Sequence, residues 1–177
     1  MKVAFLDRDG VINKDTEYLY KVDDFKFTPG CVAGLKQLVD KGYLLIIVTN
    51  QSGIGRGYYS EQDYQVLTAW YLHELLMQGV SIQAVYHCPH SPETECDCRK
   101  PKAGLFRQAL KQYPEIDFSQ SLMIGDKLSD LKAAHSLGIQ KLIMVESENN
   151  SEAHNACSEL EAKLENFISL ADFARSL

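Results

Sequence analysis

Val3-Ala4-Phe5-Leu6-Asp7-Arg8-Asp9-Gly10, residues 3–10, decides how this chain is read. The apolar run from Val3 to Leu6 breaks into two carboxylates one residue apart, and then a glycine. With Asp7 ending a strand and Gly10 turning the chain away, both carboxylates face one pocket at the strand's carboxyl end. Two acids so close repel each other, and favour a divalent cation between them or a shared proton. One can then attack an electrophile while the other moves a proton. On its own the pattern is equally a polar turn, so the rest of the chain has to decide.

Outward from that strand, strand and helix patterns alternate. Gly30 to Asp40 places Val32, Leu35, Leu38 and Val39 on one helical face, with Gly42 as its stop. Leu44–Val48 is a continuous aliphatic run, as in a strand buried on both faces. Ser60 caps a long helix to about Gln78, with Asp63 as its capping-box partner. Ala84–His87, Leu122–Ile124 and Lys141–Val145 read as further strands. Ala103–Gln112 and Ser129–Leu137 read as helices, the second closed by Gly138. Such repeats predict an α/β fold, a doubly wound parallel sheet with helices on both faces and right-handed crossovers.

No repeat or linker divides the chain, so residues 1–177 are expected to form one domain, large enough to bury a core unaided. Residues 146–158 are polar and are the expected mobile stretch. The last twenty residues, with Leu164, Phe167, Leu170 and Phe173, are expected to dock back on the sheet.

Composition narrows the function. The net charge of −6 argues against nonspecific binding to nucleic acid or membranes, although local cations can still bind a small anion. The longest apolar stretch, Tyr43 to Val48, is far too short to span a membrane, and the amino terminus lacks a signal peptide's features. A soluble cytoplasmic protein without membrane or nucleic-acid partners, acting as a monomer, is expected. Of five cysteines, three fall between residues 88 and 98, which in a reducing compartment reads as metal binding.

Chemistry gathers at the strand ends. Asp7 follows the first strand, Thr49 the second, Cys88 the third and Asp126 the fourth. In a parallel sheet these lie along one edge, the edge where such folds place ligands. Thr49-Asn50-Gln51-Ser52-Gly53 offers small polar side chains and backbone N–H groups suited to phosphate oxygens. In Gly125-Asp126-Lys127, with Asp130 a turn later, Asp126 can complete a magnesium site with Asp7, and Lys127 can neutralise substrate charge. Cys88, His90, Cys96 and Cys98 form a closed four-ligand set within residues 88–98, the composition of a structural zinc loop. Arg99 and Lys100 follow that loop directly and would be held by it near the same edge. Cys31 and Cys157 read as ordinary small residues. His73 falls in a helix pattern, His87, His135 and His154 have no evident partners, and all four read as structural.

Together, D-R-D-G, T-N-Q-S, G-D-K and a C-x-H…C-x-C loop followed by R-K-P resemble the haloacid dehalogenase superfamily of phosphohydrolases. Residues 3 to about 145 are similar to its small branch of heptose bisphosphate and histidinol phosphatases. Residues 12–18 and 51–57 lean towards the heptose enzymes, and the short zinc-loop spacer is also similar to the histidinol enzymes. Val11 and Ala103 depart from the common pattern, without removing a side chain the chemistry needs.

The resemblance implies a haloacid dehalogenase-like Rossmannoid sheet with no inserted cap domain, so that the zinc loop and the Asn13–Tyr20 loop shape the pocket. It implies Asp7 as nucleophile and Asp9 as acid and base, with Thr49 and Lys100 stabilising the phosphoryl oxygens. Magnesium (Mg2+) would be held by Asp7, the Asp9 carbonyl and Asp126. Zinc (Zn2+) would be structural. Asp15, Tyr18, Asn50, Gln51, Ser52, Arg99 and Lys127 would bind the rest of a small phosphorylated sugar, Arg99 being suited to a distal phosphate. The expected activity is removal of the 7-phosphate from heptose 1,7-bisphosphate, in nucleotide-activated heptose synthesis for surface polysaccharide. The alternatives are histidinol-phosphate phosphatase and, less favoured, a noncatalytic phosphate-binding module or a DNA 3′-end phosphatase.

Overall fold

The computed structural model describes residues 1–146 and 163–177. Its strands are β1 (Val3–Leu6), β2 (Leu44–Asn50), β3 (Ala84–Cys88), β4 (Leu122–Gly125), β5 (Lys141–Val145) and β6 (Lys163–Phe167). They form one parallel sheet in the order β3-β2-β1-β4-β5-β6. The order reverses direction at β1, because the chain winds outward first through β2 and β3, then through β4 and β5. β1 therefore sits in the middle, paired with β2 from Val3↔Leu44 to Leu6↔Ile47 and with β4 from Ala4↔Leu122 to Leu6↔Ile124.

Alternation along β1 builds both layers. Ala4 and Leu6 join one apolar cluster with Leu35 and Leu38 of α1 (Cys31–Asp40) and Leu67, Tyr71 and Leu75 of α3 (Glu61–Met77). Val3 and Phe5 join the opposite cluster with Leu105, Phe106 and Ala109 of α4 (Gly104–Gln112) and Leu131 and Ala134 of α5 (Leu128–His135). Phe5 and Phe106 lie 4.9 Å apart, and burying each such side chain is worth about 2–3 kcal/mol. α3 starts with the expected capping box: Ser60 accepts from the Asp63 N–H, and the Asp63 carboxylate accepts from the Ser60 N–H.

Three differences from the sequence reading matter most. β2 runs on through Thr49 and Asn50, because Thr49↔His87 and Asn50↔Cys88 continue its ladder with β3. A one-turn helix, α2 (Ser52–Gly55), follows at once. At the carboxyl end, Lys163–Phe167 docks as a sixth parallel strand against β5, and α6 (Leu170–Arg175) buries Leu170 and Phe173 in the cluster that holds α1. Docking was expected, and the strand was not: Lys163, Glu165 and Asn166 interrupt its apolar pattern, as an edge strand permits. Apart from Glu146, the expected mobile stretch lies outside the described residues, as do His154 and Cys157. No helix of the described residues is long and apolar enough to cross a membrane.

Candidate active site

Because β1 is flanked by β2 and β4, their carboxyl ends meet over one point. The Asp7 N–H donates to the Ile124 carbonyl at 3.0 Å, which extends the β1–β4 ladder into the site. Asp7 Oδ1 accepts the Arg8 N–H at 2.8 Å and lies 3.0 Å from Lys100 Nζ. Asp7 Oδ2 accepts no hydrogen bond among the described residues. Lys100 Nζ also donates to the Val48 carbonyl at 2.7 Å and pairs with Asp130 Oδ1 at 2.7 Å. Asn50 holds the Lys100 backbone from both sides, Nδ2 donating to its carbonyl at 3.2 Å and Oδ1 accepting its N–H at 3.1 Å. Lys100 is buried, which alone would lower its pKa, but the Asp130 and Asp7 carboxylates outweigh burial and raise it. It is a fixed cation.

The acids around it are crowded. Burial pushes Asp7 up to about 6; Lys100 opposes this, and Asp130 and Asp9 add to it. Burial, then Asp7 and Asp130, push Asp126 up to about 8. Both Asp126 carboxylate oxygens are buried without a hydrogen-bond partner among the described residues. One carboxylate oxygen from each of Asp7, Asp126 and Asp130 lies within 4.8 Å of the others. An orphaned carboxylate beside two further acids is a donor set that fits a hard divalent cation. Two glycines permit the crowding. A Cβ at Gly10, whose φ is +81°, would fall 2.5 Å from Asp126 Oδ2, and one at Gly125 would fall 2.5 Å from Asp130 Cβ.

Asp130 was noted in the sequence only as an acid one turn past Asp126. The structure makes it the partner of Lys100, at the first turn of α5 just after the strand-end Asp126. Arg8 was also missed. Its side chain is almost fully buried, and Nη2 lies 2.9 and 3.0 Å from the two Asp9 carboxylate oxygens. Asp9 further accepts from Arg8 Nε at 3.2 Å, Asn13 Nδ2 at 2.9 Å and Gln51 Nε2 at 2.9 Å. Burial opposes ionisation, but the Arg8 charge and these hydrogen bonds hold the Asp9 pKa below the usual carboxylate value. Thr49 is fully buried, its hydroxyl accepting from Gln51 Nε2 at 2.9 Å.

A cleft of about 610 Å³ opens above Asp7 and Asp9, and Asn50, Gln51, Ser52, Arg99 and Lys100 line it too. Asp15, Glu17 and Tyr18 wall it on one side, and Lys127 reaches across to Asp15 Oδ2 at 3.2 Å. Glu17 and Tyr18 both adopt left-handed backbone (φ 53° and 50°), unusual for residues with side chains. Arg99 Nη1 is buried without a partner among the described residues. Of the residues expected to meet substrate, Gln51 and Asn50 spend side-chain hydrogen bonds on Asp9, Thr49 and Lys100 instead.

Beside the cleft, Cys88, His90, Cys96 and Cys98 converge, with their ligand atoms within 4.8 Å of one another. Cys88 Sγ lies 3.5 Å from His90 Nδ1 and 3.7 Å from Cys96 Sγ, and His90 Nδ1 lies 3.3 Å from Cys98 Sγ. These are close to the edges, roughly 3.3–3.8 Å, of a tetrahedron with metal–ligand bonds of about 2.0–2.3 Å. His87, read as lacking a partner, lies 3.0 Å from Glu61 and packs on Tyr64, so its place is in the α3–β3 packing.

Comparison with known proteins agrees with this geometry. A family model described as HAD-hydrolase-like matches residues 97–167. The chain is 49% identical over 154 residues to the D-glycero-alpha-D-manno-heptose-1,7-bisphosphate 7-phosphatase of Photorhabdus laumondii, covering 83% of this chain and 84% of that protein. It is 52% identical over 151 residues to the D-glycero-beta-D-manno-heptose-1,7-bisphosphate 7-phosphatase of Haemophilus ducreyi, covering 81% and 82%. Its fold superposes with a TM-score of 0.86, at 28% identity, on the D,D-heptose 1,7-bisphosphate phosphatase of B. bronchiseptica, solved with magnesium and phosphate; 99% of this chain and 97% of that one are covered. The chain therefore belongs to the heptose-bisphosphate phosphatase family of HAD-like hydrolases.

Proposed function

We propose that this chain, acting as one domain, removes the 7-phosphate of D-glycero-D-manno-heptose 1,7-bisphosphate. The observation that carries the reading is the buried Lys100 ammonium set between Asp7 and Asp130, beside a buried Asp126 whose carboxylate has no hydrogen-bond partner among the described residues. A module that only bound phosphate would gain nothing from an anionic floor with a nucleophile at its centre.

Asp7 Oδ2 attacks phosphorus as the bond to the sugar oxygen breaks, and Asp9 gives that oxygen its proton. Asp9 then takes a proton from water as the water attacks phosphorus and releases Asp7. The resting Asp9 is ionised, the form that deprotonates water; a phosphoryl dianion arriving beside it raises its pKa towards the form that donates. Lys100 and Thr49 meet the phosphoryl oxygens, and fixed charge of this kind supplies most of the catalysis in phosphoryl transfer. Magnesium, held by Asp7, Asp126 and the Asp9 carbonyl, would supply charge neutralisation at the phosphoryl group. Arg99, whose Nη1 has no hydrogen-bond partner among the described residues, would take the distal phosphate, and Asp15, Tyr18, Ser52 and Lys127 the sugar between. Zinc held by Cys88, His90, Cys96 and Cys98 would fix the loop that delivers Arg99 and Lys100. The enzyme would act as a cytoplasmic monomer.

The test is phosphate release from heptose 1,7-bisphosphate, histidinol phosphate and fructose 1,6-bisphosphate, each with and without magnesium. The heptose bisphosphate should be hydrolysed with a kcat/KM at least tenfold above the other two. A preference for histidinol phosphate would move the assignment to the sister branch, and no hydrolysis of any of the three would end the enzymatic reading.

A further inference from the structure

Asp9 needs its proton to reach the sugar oxygen and nowhere else. Every side chain hydrogen-bonded to it donates. Arg8 has no acceptor. Asn13 Nδ2 is held amino-side in, because it also donates to the Lys14 carbonyl at 2.9 Å. Gln51 is different. Its amide has nearly the same shape either way round, and flipped it would offer Oε1 to Asp9. While Asp9 is ionised, repulsion prevents the flip. Once Asp9 is protonated, a flipped Gln51 would accept the very proton meant for the leaving group.

Tyr59 closes that route. Its hydroxyl donates to Gln51 Oε1 at 2.7 Å, so the amide is committed with Nε2 towards Asp9 and Thr49. The phenol itself is fixed: its ring is buried, stacks on Tyr20 at 5.3 Å and 12°, and crowds Gly53, where a Cβ would fall 2.1 Å from Tyr59 Cε1. Gln51 is 3% exposed, and its three hydrogen bonds leave neither amide hydrogen for substrate. We propose that Tyr59 is a positioning residue that locks the Gln51 amide, and that this lock directs the Asp9 proton to the leaving oxygen. The inference rests on the phosphatase reading above, with Asp9 as its acid.

Tyr59→Phe keeps the ring and removes only the hydroxyl. The experiment compares kcat/KM, which reports the first chemical step, on heptose 1,7-bisphosphate and on p-nitrophenyl phosphate, whose nitrophenolate leaves without a proton. The expected loss is roughly 10–100-fold on the sugar ester, the scale of general acid catalysis, and under about threefold on the aryl ester. A double-mutant cycle on the sugar ester reads the same lock independently: in Gln51→Leu, adding Tyr59→Phe should change kcat/KM by less than about twofold. Equal losses on the two esters, no loss on either, or a full Tyr59→Phe effect in the Gln51→Leu background would overturn the lock. A parent protein that hydrolyses neither ester overturns the phosphatase reading itself.

Discussion

Withdrawing the divalent cation should make this protein less stable as pH rises from 5 to 8. Asp126 carries most of the effect. Its carboxyl is pushed from 3.8 to about 8 by burial and by Asp7 and Asp130. The folded protein therefore holds this proton more tightly than the unfolded chain does. The stability it contributes is complete below about pH 4 and is lost as pH climbs through about 8. Asp7, raised to about 6, loses its share in the lower part of that window. A rise from 3.8 to about 8, at about 1.4 kcal/mol per pH unit, caps the Asp126 contribution near 6 kcal/mol. Admission of water to the ionised site brings the expected loss to about 3–5 kcal/mol. Asp9, whose pKa is lowered, titrates below this window and does not mask the trend.

For a chain of this size each kcal/mol moves Tm by about 2–4 °C, so the magnesium-free protein should melt roughly 10 °C lower at pH 8 than at pH 5. Dialysis without a strong chelator leaves a metal at the thiolates in place. Saturating magnesium should restore most of the loss at pH 8 and little at pH 5, because only the ionised site binds it well. Asp126→Asn should flatten the magnesium-free profile and be more stable than the parent at pH 8. Scanning calorimetry across the four conditions decides it. A pH-independent Tm in the magnesium-free parent, or equal stabilisation by magnesium at both pH values, would refute the argument.

Asp7→Asn should fold normally and lose turnover by more than a thousandfold, checked by phosphate release in a preparation shown by mass spectrometry to be free of deamidation. Lys100→Met should leave Asp7 and Asp130 without their counter-charge and cost about 3–5 kcal/mol in urea unfolding; Asp130→Asn in the same chain should recover stability but not activity. Elemental analysis of the parent should find about one zinc per chain; Cys96→Ser should lose it, and should lower activity indirectly through a displaced Arg99 and Lys100.

The fold was legible because β1, β2 and β5 are short aliphatic runs separated by helical periodicity, and parallel crossovers leave few ways to connect them. β6 was not, since Lys163, Glu165 and Asn166 give an edge strand the look of a polar tail. At the site, Asp7, Asp9 and Asp126 could be named because acids stand out at strand ends, and Lys100 because it directly follows the cysteine loop. What Gln51 and Asn50 touch could not, because an amide after a strand reads equally as a substrate ligand or an internal brace. Arg8 was hidden for a different reason. A cation between two acids looks like a solvated residue until the fold buries it against Asp9.

That burial divides the site's electrostatics into two parts. Arg8 and Asp9 pair closely and offset each other's charge, although Asp9 still adds to the rise at Asp7. Asp7, Asp126 and Asp130 formally carry three negative charges against the single positive charge of Lys100, a deficit of two within one buried cluster. A divalent cation cancels that deficit. The Asp126 oxygens, buried without a hydrogen bond among the described residues, are thus a cost in stability that becomes cation affinity, and the raised Asp7 and Asp126 pKa values express the same imbalance. With the floor neutral, an incoming phosphoryl dianion meets two cations at the cleft: Lys127, which lies 3.2 Å from Asp15 and 3.9 Å from Asp126, and Arg99, whose Nη1 has no hydrogen-bond partner among the described residues. Cation binding must therefore precede productive substrate binding. Without the cation the same dianion would face a floor of its own sign.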